Sequence, residues 1–458
     1  MLIRFLFLMF YLCNYFSFAQ AELVFPEGAK GKIPFEWKSN LIIIPINIQG
    51  VELNFLVDTG VGHTLIFDNH KAQQLGFNQD QPYLLRGLGN QPALEAYRVK
   101  IDQLSIGDFY LKKLTALVLP ESKFILSKRV GTHIDGIIGH DLFEHYAVLI
   151  DYPRKYLKIN PVKTQKRWKK KRITSFPIHF YKRKPYVELT IPQLEQAAIS
   201  GNFLIDTGLS DALWLFSKEL DFEKTPPVFD DFLGTGINGD VYGERGKIPS
   251  LVLGKTILNE IKVAYPSPKT FATLSLEKNR LGSLGAELLS RFKVLIDYPN
   301  KQLMLKPTIK TSDPFYYNLS GIELAYEGIQ MVKQRLPSVE RKGNTGNNGI
   351  EILLQERYRL FFHPALKVTY VRPQSPAQRS GVRAGDILMQ INGKKIHHMS
   401  LEKVLDILQK EPGEKIKLTM NREDHLQKFT FHLQSIFSAI NPSVEQTVNT
   451  DNKKANTP

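Results

Sequence analysis

One ordered block of features occurs twice in this chain, and that repetition constrains the fold before composition is considered. The hexapeptide Val148-Leu149-Ile150-Asp151-Tyr152-Pro153 returns unchanged as Val294-Leu295-Ile296-Asp297-Tyr298-Pro299. Ahead of it stands Gly136-Ile137-Ile138-Gly139 with Leu142-Phe143 in one copy, and Gly282-Ser283-Leu284-Gly285 with Leu288-Leu289 in the other. Earlier still, each copy ends an apolar run in the same tripeptide: Phe55-Leu56-Val57 before Asp58-Thr59-Gly60, and Phe203-Leu204-Ile205 before Asp206-Thr207-Gly208. Between these lie a glycine-rich stretch (Gly87 to Asn90, then Gly234 to Gly239) and a strand-and-turn signal (Leu104 to Gly107, then Leu251 to Gly254). Five features in one order imply two similar units from a duplicated segment.

The local patterns read as short strands. Leu41 to Ile48 and Val51 to Asp58 are β runs flanking Gln49-Gly50, a hairpin signal. Thr64 to Phe67 and Ala212 to Phe216 are matching strands after each tripeptide, and Asp68 to Leu75 reads as one short helix stopped at Gly76. Many short strands with regular turns argue a barrel-like, all-β unit. Residues 308–437 differ. Ser375-Pro376-Ala377, Gly385-Asp386 and the tight turn Ile391-Asn392-Gly393 precede a helical run from Ser400 to Gln409, with Leu401, Val404, Leu405 and Leu408 on one face. Strands at Lys415 to Met420 and Lys428 to Leu433 follow.

A length of 458 residues suits roughly three domains. Residues 1–21, with Arg4, an apolar stretch from Phe5 to Phe18 and the small residues Ala19 and Ala21, read as a signal peptide, the alternative being an uncleaved membrane anchor. Export to the periplasm or envelope of a bacterium follows as the expectation. The single cysteine, Cys13, lies in that stretch, so the mature chain offers no thiol for catalysis or metal binding. The net charge of +15 is concentrated partly in residues 163–172, where seven of ten are Lys or Arg. That run falls between the repeats and reads as a solvated linker rather than a nucleic-acid patch. Residues 438–458 read as a disordered polar tail.

Two Asp-Thr-Gly tripeptides, each followed by a short strand, a glycine-rich loop and a hydrophobic-Gly segment, resemble the bacterial retropepsin-like aspartic proteases. Residues 308–437 resemble a PDZ domain. The resemblance implies a mainly β chain: two tandem acid-protease β-barrel lobes, residues 22–162 and 173–307, forming a pseudo-dimer, then an α+β PDZ-like domain. It implies an endopeptidase without cofactor or metal, acting on protein or peptide substrates. Asp58 and Asp206 would share one proton and activate water. Thr59 and Thr207 would brace the two loops, and Gly60 and Gly208 would allow the turns. Gly87, Gly89, Gly234 and Gly236 would mark flaps over an extended peptide. Ser320, Gly321 and Ile322 would form the PDZ carboxylate loop, taking a C-terminal peptide.

Departures from the family pattern are visible. Val61-Gly62 and Leu209-Ser210 follow the tripeptides where smaller residues are usual, so altered hydrogen bonding around the carboxylates is expected. Ser283 stands where the first copy has Ile137. These changes leave an inactive peptide-binding scaffold as the competing reading. Asp151 and Asp297, before Tyr-Pro, read as turn residues; His63, His133, His140 and His145 read as loop or packing residues. Pairing of the repeats within one chain, giving a monomeric active unit, is favoured over pairing between chains because the linkage raises their effective concentration.

Overall fold

The computed structural model describes residues 21–68, 70–77, 82–120, 126–160, 172–191, 199–216, 228–272, 274–345 and 349–435. Most of the expected signal segment, Cys13, nearly all of the basic run and the polar tail lie outside the described residues.

Strands Leu41–Ile48 and Val51–Val57 form the expected hairpin, with Ile43 opposite Leu56. Its turn places Gln49 and Gly50 at φ of 52° and 87°, the left-handed pair that matches strand twist. Leu41–Ile48 is apolar on both faces. Ile42, Ile44, Ile46 and Ile48 enter the main core, whereas Leu41 and Ile43 join a second cluster with Leu56, Leu65, Phe67 and Ile137. Val51–Val57 lies parallel to Gly136–Ile138, which pairs antiparallel with Leu65–Asp68, which runs parallel to Phe109–Pro120. The second half uses the same sequence of partners and directions: Lys184–Ile191, Ile199–Ile205, Arg280–Leu284, Leu213–Leu215 and Thr256–Pro266. The expected early helix is a single turn, His70–Gln73.

The halves are joined edge to edge. Ala147–Asp151 pairs antiparallel with Phe292–Asp297, and Leu149 faces Leu295. These are the same position in the two copies of the hexapeptide, so a local twofold axis passes between them. Asp151 accepts from the Arg154 N–H and pairs with Lys293; Asp297 accepts from the Asn300 N–H at 3.0 Å. Both therefore hold turns. The main core runs continuously through both halves, with Phe143, Phe203, Ile205 and Tyr298 among its members.

The third unit is a six-stranded sheet with the helix Leu401–Leu408. Ser400 caps that helix by accepting from the Lys403 N–H, and Leu401, Val404 and Leu408 are buried. Asn392-Gly393 makes the tight turn, at φ of 49° and 78°. The stretch between the expected carboxylate loop and the next motif is one long hairpin, Ile322–Thr345 with Gly349–Val371. This unit touches both halves: the Tyr317 hydroxyl donates to the Gly246 carbonyl, and the Tyr326 ring covers Gly131.

Candidate active site

Asp58 and Asp206 each follow the last residue of a parallel-paired strand. Their N–H groups donate to the carbonyls of Ile138 (2.9 Å) and Leu284 (3.0 Å), so each loop starts from a fixed sheet edge. The two loops then lock reciprocally. Thr59 Oγ1 donates to the Ile205 carbonyl (2.6 Å) and accepts from the Thr207 N–H (3.0 Å). Thr207 Oγ1 donates to the Val57 carbonyl (2.8 Å) and accepts from the Thr59 N–H (3.1 Å). Both threonines are fully buried, so every partner lost there is lost to a water-free site.

This lock brings the carboxyls together. Asp58 Oδ1 accepts from the Gly60 N–H at 2.7 Å, and Asp206 Oδ1 from the Gly208 N–H at 3.1 Å. A Cβ on Gly60 would stand 3.0 Å from both Asp206 oxygens, and one on Gly208 would overlap the Asp58 carboxyl. The opposite aspartate occupies the side-chain space at Gly208, where glycine is required, and crowds it at Gly60, where a Cβ would be tight. The two carboxyls share a hydrogen bond. Burial, then the Asp206 charge, raises Asp58 well above the ordinary carboxylate range. Burial also raises Asp206, but Arg280 and Lys184 pull it back, as does the hydrogen bond from Asp58. The pair titrates as a unit, with the proton biased toward Asp58.

The glycine-rich stretches meet tip to tip. The first is the loop between Pro82–Leu85 and Leu94–Ile106; the second is the tip of the hairpin Phe229–Gly236 with Gly239–Leu253. Asn238 ties them together. Its Oδ1 accepts from the Gly87 N–H, its Nδ2 donates to the Pro92 carbonyl, its N–H donates to Leu88 and its carbonyl accepts from Gln91. Gly89 packs on the Asn238 backbone and Gly236 on the Leu88 backbone. Gly234 marks a bulge in the second hairpin.

Val61 and Leu209 have a packing role. Val61 joins the cluster that receives Ile237 from the second tip, and Leu209 the cluster that receives Leu88 from the first. Their bulk seats the opposing tips, while the tripeptide glycines keep their bonds to the aspartates.

Three cations escaped the sequence reading. Arg183 enters the first half, bonding Asp141 (2.7 Å) and Glu144 (3.2 Å) and meeting His63 Nδ1 at 3.2 Å. His140 Nδ1 contacts the Arg183 carbonyl, so His63 and His140 belong to this inter-half joint. His145 meets the Ala21 carbonyl and His133 faces Asp135. Lys184 and Arg280 flank Asp206. Laying the two repeats on one strand register would have exposed both.

In the third unit, Ser320, Gly321 and Ile322 do form a loop, but its N–H groups are engaged within the chain. Asn318 Oδ1 accepts from Ser320 N–H (3.1 Å) and Gly321 N–H (3.2 Å), and Ser320 Oγ accepts from Ile322 N–H (3.1 Å). Arg372 connects this loop to the hairpin Phe229–Gly236 with Gly239–Leu253: its N–H donates to Gly321, its Nη2 to Asn318, and its Nη1 lies 3.9 Å from Asp231. Nearby Glu323 is pushed up to about 7, by burial first and the Asp231 charge second.

Residues 44–142 match the aspartyl protease family model, and residues 367–422 match the PDZ domain model. A carboxy-terminal-processing protease of Bartonella bacilliformis is 33% identical over 81 residues, which is 18% of this chain and 17% of that relative. The chain thus spans about a sixth of the relative's length. With its mainly β architecture, the chain carries an aspartyl protease domain followed by a PDZ domain.

Proposed function

We propose that the protein is an aspartic endopeptidase whose single active site is assembled from both Asp-Thr-Gly loops, with the PDZ domain recognising peptides or regulating access. The reciprocal Thr59–Thr207 lock carries this reading, since it brings the half-buried Asp58 and the buried Asp206 together, where like charges favour one shared proton. Asp206, favoured as the ionised partner, takes a proton from the attacking water while the water oxygen bonds the scissile carbonyl carbon. Asp58 gives its proton to the carbonyl oxygen. In collapse, the C–N bond breaks, Asp206 returns a proton to the leaving nitrogen, and Asp58 recovers one from the diol. Closed tips over the cleft would exclude water other than the nucleophile. Export to the bacterial envelope remains part of the proposal.

The test is cleavage of a peptide library from pH 3 to 8, with and without pepstatin, for wild type, Asp58→Asn and Asp206→Asn. Cleavage by wild type and none by either variant supports one shared dyad. A wild type that never cuts, yet binds peptides with free C-termini, supports the scaffold reading instead.

A further inference from the structure

The surroundings of the two aspartates differ in charge at matching positions of the repeats. In the first half Ile43 pairs with Leu56, so the register places Leu41 across from Asp58. In the second half Tyr186 pairs with Leu204, which places Lys184 across from Asp206. Gly136 pairs with Phe55 and Gly282 with Phe203, so Ile134 and Arg280 correspond in sequence, each two residues before an equivalent glycine, while a register shift between Asn202 and Phe203 sets Arg280 opposite Asn202. Leu41 and Ile134 are buried apolar residues. Their counterparts are a lysine and an arginine.

Arg280 is held firmly. Its Nη2 donates to Ser283 Oγ at 2.8 Å, its Nε donates to the Gly282 carbonyl, and its guanidinium lies 4.9 Å from the centre of the Phe216 ring. Ser283, the departure from the first repeat, is thus an anchor for Arg280. Lys184 is partly exposed, and its charge acts on both aspartates and on Arg280. Neither cation makes an ion pair among the described residues. The other titratable groups acting on them are Lys182 on Lys184, and Tyr186 and Glu277 on Arg280; Tyr186, raised by burial, is neutral, and Lys182 and Glu277 oppose each other in sign. A dyad holding one proton carries one negative charge. Two cations beside it leave one positive charge uncompensated in a desolvated wall, an arrangement that is costly unless a ligand supplies the anion.

We propose that the Lys184–Arg280 wall is a carboxylate subsite, so that the enzyme selects substrates placing one carboxylate on the Asp206 side of the scissile bond. The carboxylate belongs to an Asp or Glu side chain or to a peptide C-terminus. This inference rests on the endopeptidase reading for its location and names that site's substrate class.

The test uses peptides identical except for Glu or Gln at each subsite, each with a free or amidated C-terminus. Wild type is expected to favour Glu over Gln at one subsite, or free over amidated ends, by about tenfold or more in kcat/KM, the worth of a charge-assisted hydrogen bond. The favoured arm identifies the source. Lys184→Leu and Arg280→Ile, which install the first-half residues, should bring the ratio toward unity, while Lys184→Arg should keep it. The ratio is insensitive to any general loss of activity in a variant. A wild type that cuts both peptides equally overturns the inference and leaves the endopeptidase standing. If wild type cuts neither, the endopeptidase reading fails, and the relative affinity of the peptides by fluorescence anisotropy decides the subsite: tighter binding of the carboxylate form supports it, equal binding overturns it.

Discussion

Replacing Gly208 by alanine should damage the site far more than the same change at Gly60, although the two glycines are equivalent in the repeats. At Gly208 the new Cβ would lie 2.5 Å from Asp58 Oδ1 and closer still to its carboxyl carbon, whereas ordinary contact begins near 3.4 Å. The Asp58 carboxyl would have to retreat by about 1 Å, and a displacement of that size costs on the order of 100-fold in rate. At Gly60 the Cβ would lie 3.0 Å from three carboxylate oxygens. Adjustment by a few tenths of an ångström suffices, so a loss of roughly tenfold or less is expected. The assay is kcat/KM on a common peptide, with urea midpoints to confirm that both variants fold. Equal losses, or a Gly208→Ala enzyme with more than about a tenth of wild-type activity, would show that the Asp58 carboxyl does not occupy the space above Gly208 during catalysis.

Further outcomes follow from the same geometry. Thr207→Val orphans the Val57 carbonyl and the Thr59 N–H, two buried groups worth roughly 1–3 kcal/mol each, and should lower the urea midpoint accordingly; an unchanged midpoint would mean the loops are not braced there. Lys184→Leu removes a cation that favours the ionised form of Asp206, so the pair's protonation rises and the acid limb of the kcat/KM profile moves to higher pH; a shift to lower pH contradicts the charge assignment. Asn238→Ala removes both side-chain bonds between the tips and should raise KM more than it lowers kcat, measured on an extended peptide. Asn318→Ala frees the Ser320 and Gly321 N–H groups and should tighten binding of peptides with free C-termini by about tenfold, read by calorimetry.

Features encoded by local chemistry were legible in the sequence. Gln49-Gly50 announces its hairpin, Ser400 its helix, and Asn392-Gly393 its turn, because each conformation is set within a few residues. The meeting of Asp58 with Asp206 was legible only because the repeat supplied the second copy. Lys184 and Arg280 were not, since their placement depends on the register of strands distant in sequence. Val61 and Leu209 looked like threats to the carboxylates because nothing local shows that the opposing tips pack on them. The hairpin from Ile322 to Val371 escaped notice because register shifts near Tyr326 and Leu336 interrupt its alternation. The loop at Ser320 was recognisable, but its engagement by Asn318 was not.

Leu149 facing Leu295 has a consequence for how such a cleft can change over generations. Were the partners two copies of one polypeptide, any substitution would appear on both sides of the axis, and a lysine gained near one aspartate would be gained near the other. Here the two sides are written by separate codons. Leu41 and Lys184 occupy matching places with opposite character, which no assembly of identical copies could encode.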